Sequence, residues 1–207
     1  MRLLIATTNP NKLREIRHAL GDALGEIRVA LSTLADLPPI AEPDETGETF
    51  QENARLKAFY YGRHVAQTAG PEVLTVAEDS GLVVDALDGD PGVHSARFLR
   101  PDATYSERFA EIYQRLAARP AAPRDARFIC ALAVVRGDHL LFETAGTIEG
   151  EISDTPRGSG GFGYDPIFYY PPYGQTLAEV ADEQKMRVAH RGHAFRTLAG
   201  WLAAGKT

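Results

Sequence analysis

The chain has 207 residues, 44% hydrophobic and 24% charged, a globular composition long enough to bury roughly 70% of the surface its unfolded form exposes. With 22 basic and 28 acidic residues the formal net charge is −6, which disfavours a broad nucleic-acid-binding face but permits a local anion site. One cysteine, Cys130, excludes an intrachain disulfide; its apolar flanks, Phe128, Ile129, Ala131 and Leu132, point to a buried, inert thiol. The N-terminal apolar run, Leu3 to Ala6, is too short for a signal peptide, and no stretch approaches the roughly 20 apolar residues of a membrane span. The expectation is a cytoplasmic protein of one domain over residues 1–207.

In chain order, residues 2–6 read as a short buried strand bounded by Thr7, Thr8 and Asn9. Asn9 then caps a helix with Pro10 in its first turn, carrying Leu13, Ile16, Ala19, Leu20 and Leu24 at helical spacing. Residues 27–31 form a second strand, and residues 35–47 a loop rich in proline and acid. Thr49-x-x-Glu52 is a capping box that opens a long helix to about Thr68. A third strand over 73–77 leads into Glu78-Asp79-Ser80-Gly81 and then residues 82–84. Residues 88–92 make a turn, and Thr104-x-x-Glu107 caps a helix to about Ala118. Residues 128–135 and 140–147 pair as a hairpin across Gly137-Asp138. A glycine-rich loop over 157–165 precedes helices over 179–188 and 193–204. Alternating strands and helices with a late hairpin predict an α/β fold, a mixed β-sheet with flanking helices on both faces.

Two pattern matches fail on context. Residues 158–163 satisfy G-x-G-x-x-G, but Asp165-Pro166 follows where the dinucleotide motif needs a helix. Residues 200–207 satisfy G-x-x-x-x-G-K-[ST], but helix precedes the glycine instead of starting at the lysine, as phosphate binding requires.

Five segments carry groups suited to chemistry. Thr7-Thr8-Asn9-Pro10-Asn11-Lys12 joins a strand end to a helix N-terminus, where free N–H groups and the dipole attract anions; plain capping by Asn9 is the other reading. Glu78 and Asp79 follow an apolar strand, and on a regular strand neighbouring side chains point to opposite faces. As hard oxygen donors they suit Mg²⁺, or they belong to a solvated strand end. Glu42, Asp44, Glu45 and Glu48 make an acidic loop able to complete a metal site, with Asn53 and Lys57 on the helix beyond it. Phe162, among the glycines from Gly158 to Gly163, offers a stacking face for a planar base, and Asp165 an acceptor for ring N–H groups; a loop anchored by an aromatic is the alternative. Lys185 with His190-Arg191-Gly192-His193 supplies donors for carbonyl or phosphate oxygens, or is a surface basic cluster. Taken together the five describe a nucleoside triphosphate site with Mg²⁺.

The chain resembles the RdgB and inosine triphosphate pyrophosphatase family from Leu4 to about Leu202. The resemblance is carried by Ala6-Thr-Thr-Asn-Pro-Asn-Lys12, Glu45-Thr-Gly-Glu-Thr-Phe-x-Glu-Asn-Ala54, Asp79-Ser-Gly-Leu82, Pro91-Gly-Val-His-Ser-Ala-Arg97, Gly160-Gly-Phe-Gly-Tyr-Asp-Pro166 and His190-Arg-Gly192. It implies an elongated mixed sheet with two lobes around a long substrate cleft, a homodimer, and hydrolysis of ITP, dITP and XTP to the monophosphate and pyrophosphate. By the same resemblance Thr7, Thr8, Asn9, Pro10, Asn11 and Lys12 hold the triphosphate, Asp79 is the metal-associated general base, and Glu45 helps Asp79 bind Mg²⁺. Lys57 and Ser80 lie against phosphate or sugar, and Lys12 or Lys57 neutralises the leaving pyrophosphate. Phe162 stacks on the base, Gly163, Tyr164 and Asp165 complete its pocket, and Lys185, His190 and Arg191 close over it. Glu78 stands where many relatives carry aspartate, and Ala189 where serine is common; Glu78 is left without a role.

A 6-oxo group on the base would accept from His190, Arg191 or backbone N–H groups, whereas the 6-amino group of adenine would strand those donors at about 1–3 kcal/mol each. Other readings are a pyrophosphatase for pyrimidine or methylated nucleotides, a non-catalytic nucleotide sensor, and a nucleic-acid-binding module, which the acidic balance disfavours. Tyr105, Phe109 and Tyr113 share a helix face that fits either a dimer interface or a core stripe.

Overall fold

A computed structural model of the protein describes residues 1–24 and 29–205, with only the backbone at positions 22 and 24. Ile27 and Arg28 of the predicted second strand, the Leu24 side chain, and Lys206 and Thr207 therefore lie outside the described residues.

The chain divides into two compact units, Met1–Asp79 with Cys130–Gly146 and His190–Thr207, and Ser80–Ile129 with Thr147–Ala189. The strands are β1 (Arg2–Ile5), β2 (Ala30–Thr33), β3 (Leu74–Val84), β4 (Asp125–Arg136), β5 (His139–Ile152), β6 (Phe168–Tyr170) and β7 (Gln175–Thr176). They form one mixed sheet in the order β2-β1-β3-β4-β5-β6-β7. β1 runs parallel to both neighbours, with Leu4 opposite Ser32 on one side and Thr75 on the other. The β5–β6 and β6–β7 pairs are antiparallel.

In the first unit, α1 (Pro10–Leu24) connects β1 to β2, and α2 (Phe50–Thr68) returns from β2 past β1 to β3. Those two crossovers run in opposite directions along the sheet, so right-handed connections put α1 and α2 on opposite faces. α1 starts as predicted: Asn9 Oδ1 accepts from the N–H groups of Asn11 at 3.0 Å and Lys12 at 3.3 Å, while Pro10 occupies a position that needs no donor. α2 opens on its capping box, Thr49 Oγ1 accepting from Glu52 N and Glu52 Oε2 from Thr49 N, both at 3.1 Å. Ile16, Leu20, Leu74, Leu132 and Phe195 are among the fully enclosed side chains of this unit, each contributing roughly 1.5–3 kcal/mol by leaving water.

The second unit has its own core, including Leu82, Phe98, Ile112, Phe128, Ile167 and Phe168. Its helix α3 (Tyr105–Ala117) carries the second capping box, with Thr104 Oγ1 accepting from Glu107 N. Phe109 is buried and Tyr113 packs against this core, while Tyr105 is exposed, so the aromatic stripe belongs to the core at two of its three positions. Among the described residues no helix is long and apolar enough to cross a membrane.

Three local expectations are corrected. β3 is a single strand of 11 residues, unbroken at Glu78-Asp79-Ser80-Gly81: Glu78 and Asp79 are buried and paired with cations inside the protein, so neither forces the chain out to solvent. The helix predicted from residue 179 is α4 (Asp182–Val188). Glu179 instead closes a turn, accepting at 2.8 Å from Thr176 N and at 3.1 Å from its hydroxyl. The last helix, α5 (His190–Ala203), begins three residues before the expected His193. Gly192 reads locally as a breaker at a cost of roughly 1 kcal/mol, but it is buried in the first turn, where packing overrides propensity.

Candidate active site

Thr7 and Thr8 leave β1 beside β3: Ala6 N donates to Val76 O at 2.8 Å, two residues before Glu78. The polar loop thus leaves the carboxyl end of β1 alongside the middle of β3, where Glu78 and Asp79 lie, and the carboxyl ends of parallel strands are where α/β sheets usually place ligands. Thr7 Oγ1 accepts from Asn9 N at 3.2 Å, and Thr8 donates to Glu42 Oε1 at 3.3 Å, tying the loop to the acidic segment. Thr8, Asn9 and Pro10 are exposed, and Thr7, Asn11 and Lys12 half-buried.

The alternation of β3 divides its two carboxylates. Glu78 meets the α1 side: Lys12 Nζ lies 2.6 Å from its Oε1, and Arg191 Nη2 on α5 lies 3.7 Å from its Oε2. Burial pushes the Glu78 carboxyl up, but Lys12, Arg191 and Lys57 outweigh it and hold it well below the usual range. Arg191 is fully enclosed and also pairs with Glu15 of α1. Cys130 is buried as expected, its Sγ 3.5 Å from Glu78 Oε2, and burial raises its pKa strongly.

Asp79 meets the α2 side. The Lys57 ammonium donates to Asp79 Oδ1 and Glu45 Oε1, each at 2.7 Å. Burial alone would lower the Lys57 pKa and favour the neutral amine, yet Asp79, Glu78 and Glu45 together raise it and keep the ammonium charged. Burial pushes the Asp79 carboxyl upward, and Lys57 offsets this only in part. Asp79 is therefore a better proton acceptor than a surface aspartate.

In the second unit the glycine-rich loop is organised by one buried ion pair. Asp165 Oδ2 accepts from Lys185 Nζ of α4 at 2.6 Å and from Phe162 N at 2.7 Å. Gly161 has φ +65°, and a Cβ there would stand 2.1 Å from Asp165 Oδ2, so glycine is required. Lys185 Nζ also lies 5.1 Å from the centre of the half-buried Phe162 ring, a cation–π contact. Gly163 takes φ +68°. Tyr164 is buried, its hydroxyl donating to Ser95 O at 2.8 Å, and burial raises its pKa.

Thr7 to Lys12, Glu45, Lys57, Asp79, His190 and Arg191 belong to the first unit, where Lys12 and Arg191 meet at Glu78 and Glu45 and Asp79 meet at Lys57, and Ser80, Phe162 to Asp165 and Lys185 belong to the second. Sequence reasoning missed Glu15 and the partners of Glu78. The signal was present for Glu15, which lies three residues after Lys12 and four before Ala19, on the buried stripe of α1. Among the described residues no group of three or more His, Cys, Asp or Glu side chains is placed to hold a metal.

The arrangement defines an α/β protein in which an anion-attracting loop adjoins two buried carboxylates held by lysines. Residues 3–201 match the Ham1 family, and the chain belongs to it. Among its relatives, a protein of Halalkalibacterium halodurans named dITP/XTP pyrophosphatase is 40% identical, the match covering 96% of this chain and 97% of that one. One of the same name from Thermus thermophilus is 43% identical, over 96% and 90% of the two chains. The solved structure of a HAM1 protein from Coxiella burnetii superposes with a TM-score of 0.86 at 33% identity, over 99% of each chain.

Proposed function

We propose that the protein is a nucleoside triphosphate pyrophosphatase that removes non-standard purine nucleotides, ITP, dITP and XTP, from the cytoplasmic pool. The observation that carries this reading is the Lys57 ammonium held between Glu45 and Asp79, and the name shared by its relatives supports it.

In this reading Thr7, Thr8, Asn11 and the N–H groups at the start of α1 bind phosphate, with Asn9 and Pro10 setting that helix start. Lys12 and Lys57 exchange their internal carboxylates for phosphate oxygens as substrate arrives. Asp79, raised by burial, orients a water and takes its proton as the water attacks the α-phosphorus; pyrophosphate leaves with its charge met by the lysines. Glu45 and Asp79 offer only oxygen donors, which fits Mg²⁺, a cation commonly held by one or two carboxylates plus substrate phosphates. Bound there, Mg²⁺ would draw charge from the phosphates. Glu78 is a counter-ion, since its oxygens face Lys12 and Arg191. Base stacking falls to Phe162, with Gly163 in the same loop and Tyr164, Asp165 and Lys185 fixing it, whereas Arg191, enclosed between Glu15 and Glu78, is a buried counter-ion and not a base contact. A homodimer is part of the proposal, checked by sedimentation.

The test is pyrophosphate release from ITP, dITP, XTP, ATP and GTP, with and without Mg²⁺. Release from the first three well above ATP and GTP, and only with the metal, is the expected result; equal rates on ATP and ITP would overturn the specificity.

A further inference from the structure

Asn53, in the second turn of α2, is fully buried. A buried amide must place two N–H donors and an acceptor oxygen. Asn53 Oδ1 accepts from Gly47 N at 2.8 Å, while Nδ2 lies 3.4 Å from both Gly47 O and Asp79 Oδ2. The Gly47 N–H fixes the orientation of the amide, because the atom facing a donor must be the oxygen. Nδ2 is then directed at an acceptor on each side, one in the acidic loop and one on β3.

Gly47 is fitted to this contact, since a Cβ there would stand 2.8 Å from Asn53 Oδ1 and 2.7 Å from Glu52 Cβ. The next two N–H groups, of Glu48 and Thr49, are taken by Glu52 Oε2 at 2.8 and 3.1 Å. Three consecutive loop amides are thus held by two neighbouring side chains of α2. Glu45 stands two residues before the first of them, and its carboxylate meets Lys57 one turn further along the same helix.

We propose that Asn53 is a positioning residue, clamping the Glu45-bearing loop to α2 and aiming the Asp79 carboxylate from the same amide. The role rests on the function proposed above for Asp79, but the clamp itself is independent of it. Its two halves separate chemically: aspartate at position 53 keeps an acceptor for Gly47 N–H but sets an anion against Asp79, and alanine removes both.

The test combines amide exchange by NMR with steady-state pyrophosphate release from ITP, using the wild type, Asn53→Ala, Asn53→Asp and Gly47→Ala, each checked for helical content. Gly47 N–H is expected to be protected in the wild type and in Asn53→Asp, and unprotected in Asn53→Ala and Gly47→Ala, while α2 amides stay protected. kcat is expected to fall about 10–100-fold in both Asn53 variants, with KM changed less than about threefold, the range typical of groups that orient a catalytic ligand. An unprotected Gly47 in the wild type overturns the clamp, even if no variant folds. Unchanged kcat in a folded Asn53→Ala overturns the aiming of Asp79. A wild type that releases no pyrophosphate rejects the proposed activity instead, and leaves the clamp to be judged by exchange alone.

Discussion

Arg191 Nη1 on α5 donates to Glu15 Oε2 on α1, with both side chains enclosed in the first unit. Removing one member of such a pair leaves the other charged and buried, which costs about 3–5 kcal/mol. Glu15→Gln is therefore expected to lower the urea midpoint strongly, because Arg191 loses the nearer of the two carboxylates described around it. Arg191→Met in the same chain should recover part of the loss. Additive losses in the double variant would show that the pair contributes little.

Asp79→Asn keeps the shape of the side chain and removes its basicity. Pyrophosphate release is expected to fall about 10²–10⁴-fold, the usual contribution of a general base, with KM for ITP nearly unchanged. Full activity in this variant would remove Asp79 from the chemistry.

Stacking predicts a different pattern at Phe162. Base–aromatic stacking is worth about 1–3 kcal/mol, so Phe162→Ala should raise KM for ITP by about 5- to 150-fold while kcat changes less. Lys185 would lose its cation–π partner but keep Asp165, so the second unit should remain folded, as near-UV circular dichroism would report.

Chelation gives a test of the oxygen donors. EDTA should abolish turnover, and excess Mg²⁺ should restore it. Mn²⁺ binding in the presence of a non-hydrolysable nucleotide, followed by water-proton relaxation, should weaken in Glu45→Gln. Undiminished Mn²⁺ affinity in that variant would take Glu45 out of the site.

Acid should weaken the second unit through Glu107. Its hydrogen bond to Arg100, with those from Thr104, holds its carboxyl at about 2 against an ordinary 4.5. The folded form thus favours the ionised group: the contribution is complete above pH 4.5 and is lost as pH falls from there through about 2. Glutamine preserves the capping box, so the stability gap between wild type and Glu107→Gln should narrow over that interval. A gap independent of pH would show that charge plays no part.

What the sequence revealed was mostly local. The caps at Asn9, Thr49 and Thr104 were legible because donor and acceptor lie within three residues of each other. The opposite facing of Glu78 and Asp79 followed from the period of a strand. Glu15 and Arg191, 176 residues apart, could not be joined by any local rule. The polar run through Glu78 to Gly81 looked like a strand end because its buried cationic partners, Lys12 and Lys57, come from elsewhere in the chain. Lys57 and Glu45 were legible as candidates, but the bridge that Lys57 makes between Glu45 and Asp79 required the return of α2 to β3.

Cys130 has a practical consequence. It is the sole thiol, enclosed beside the Glu78 carboxylate and far less acidic than an ordinary cysteine. A thiol reagent can reach it only when the first unit opens, so the rate of labelling is a stopwatch for that opening. Nucleotide that binds only the closed form should slow it in proportion to occupancy, giving a measure of ligand affinity that needs neither turnover nor an engineered probe.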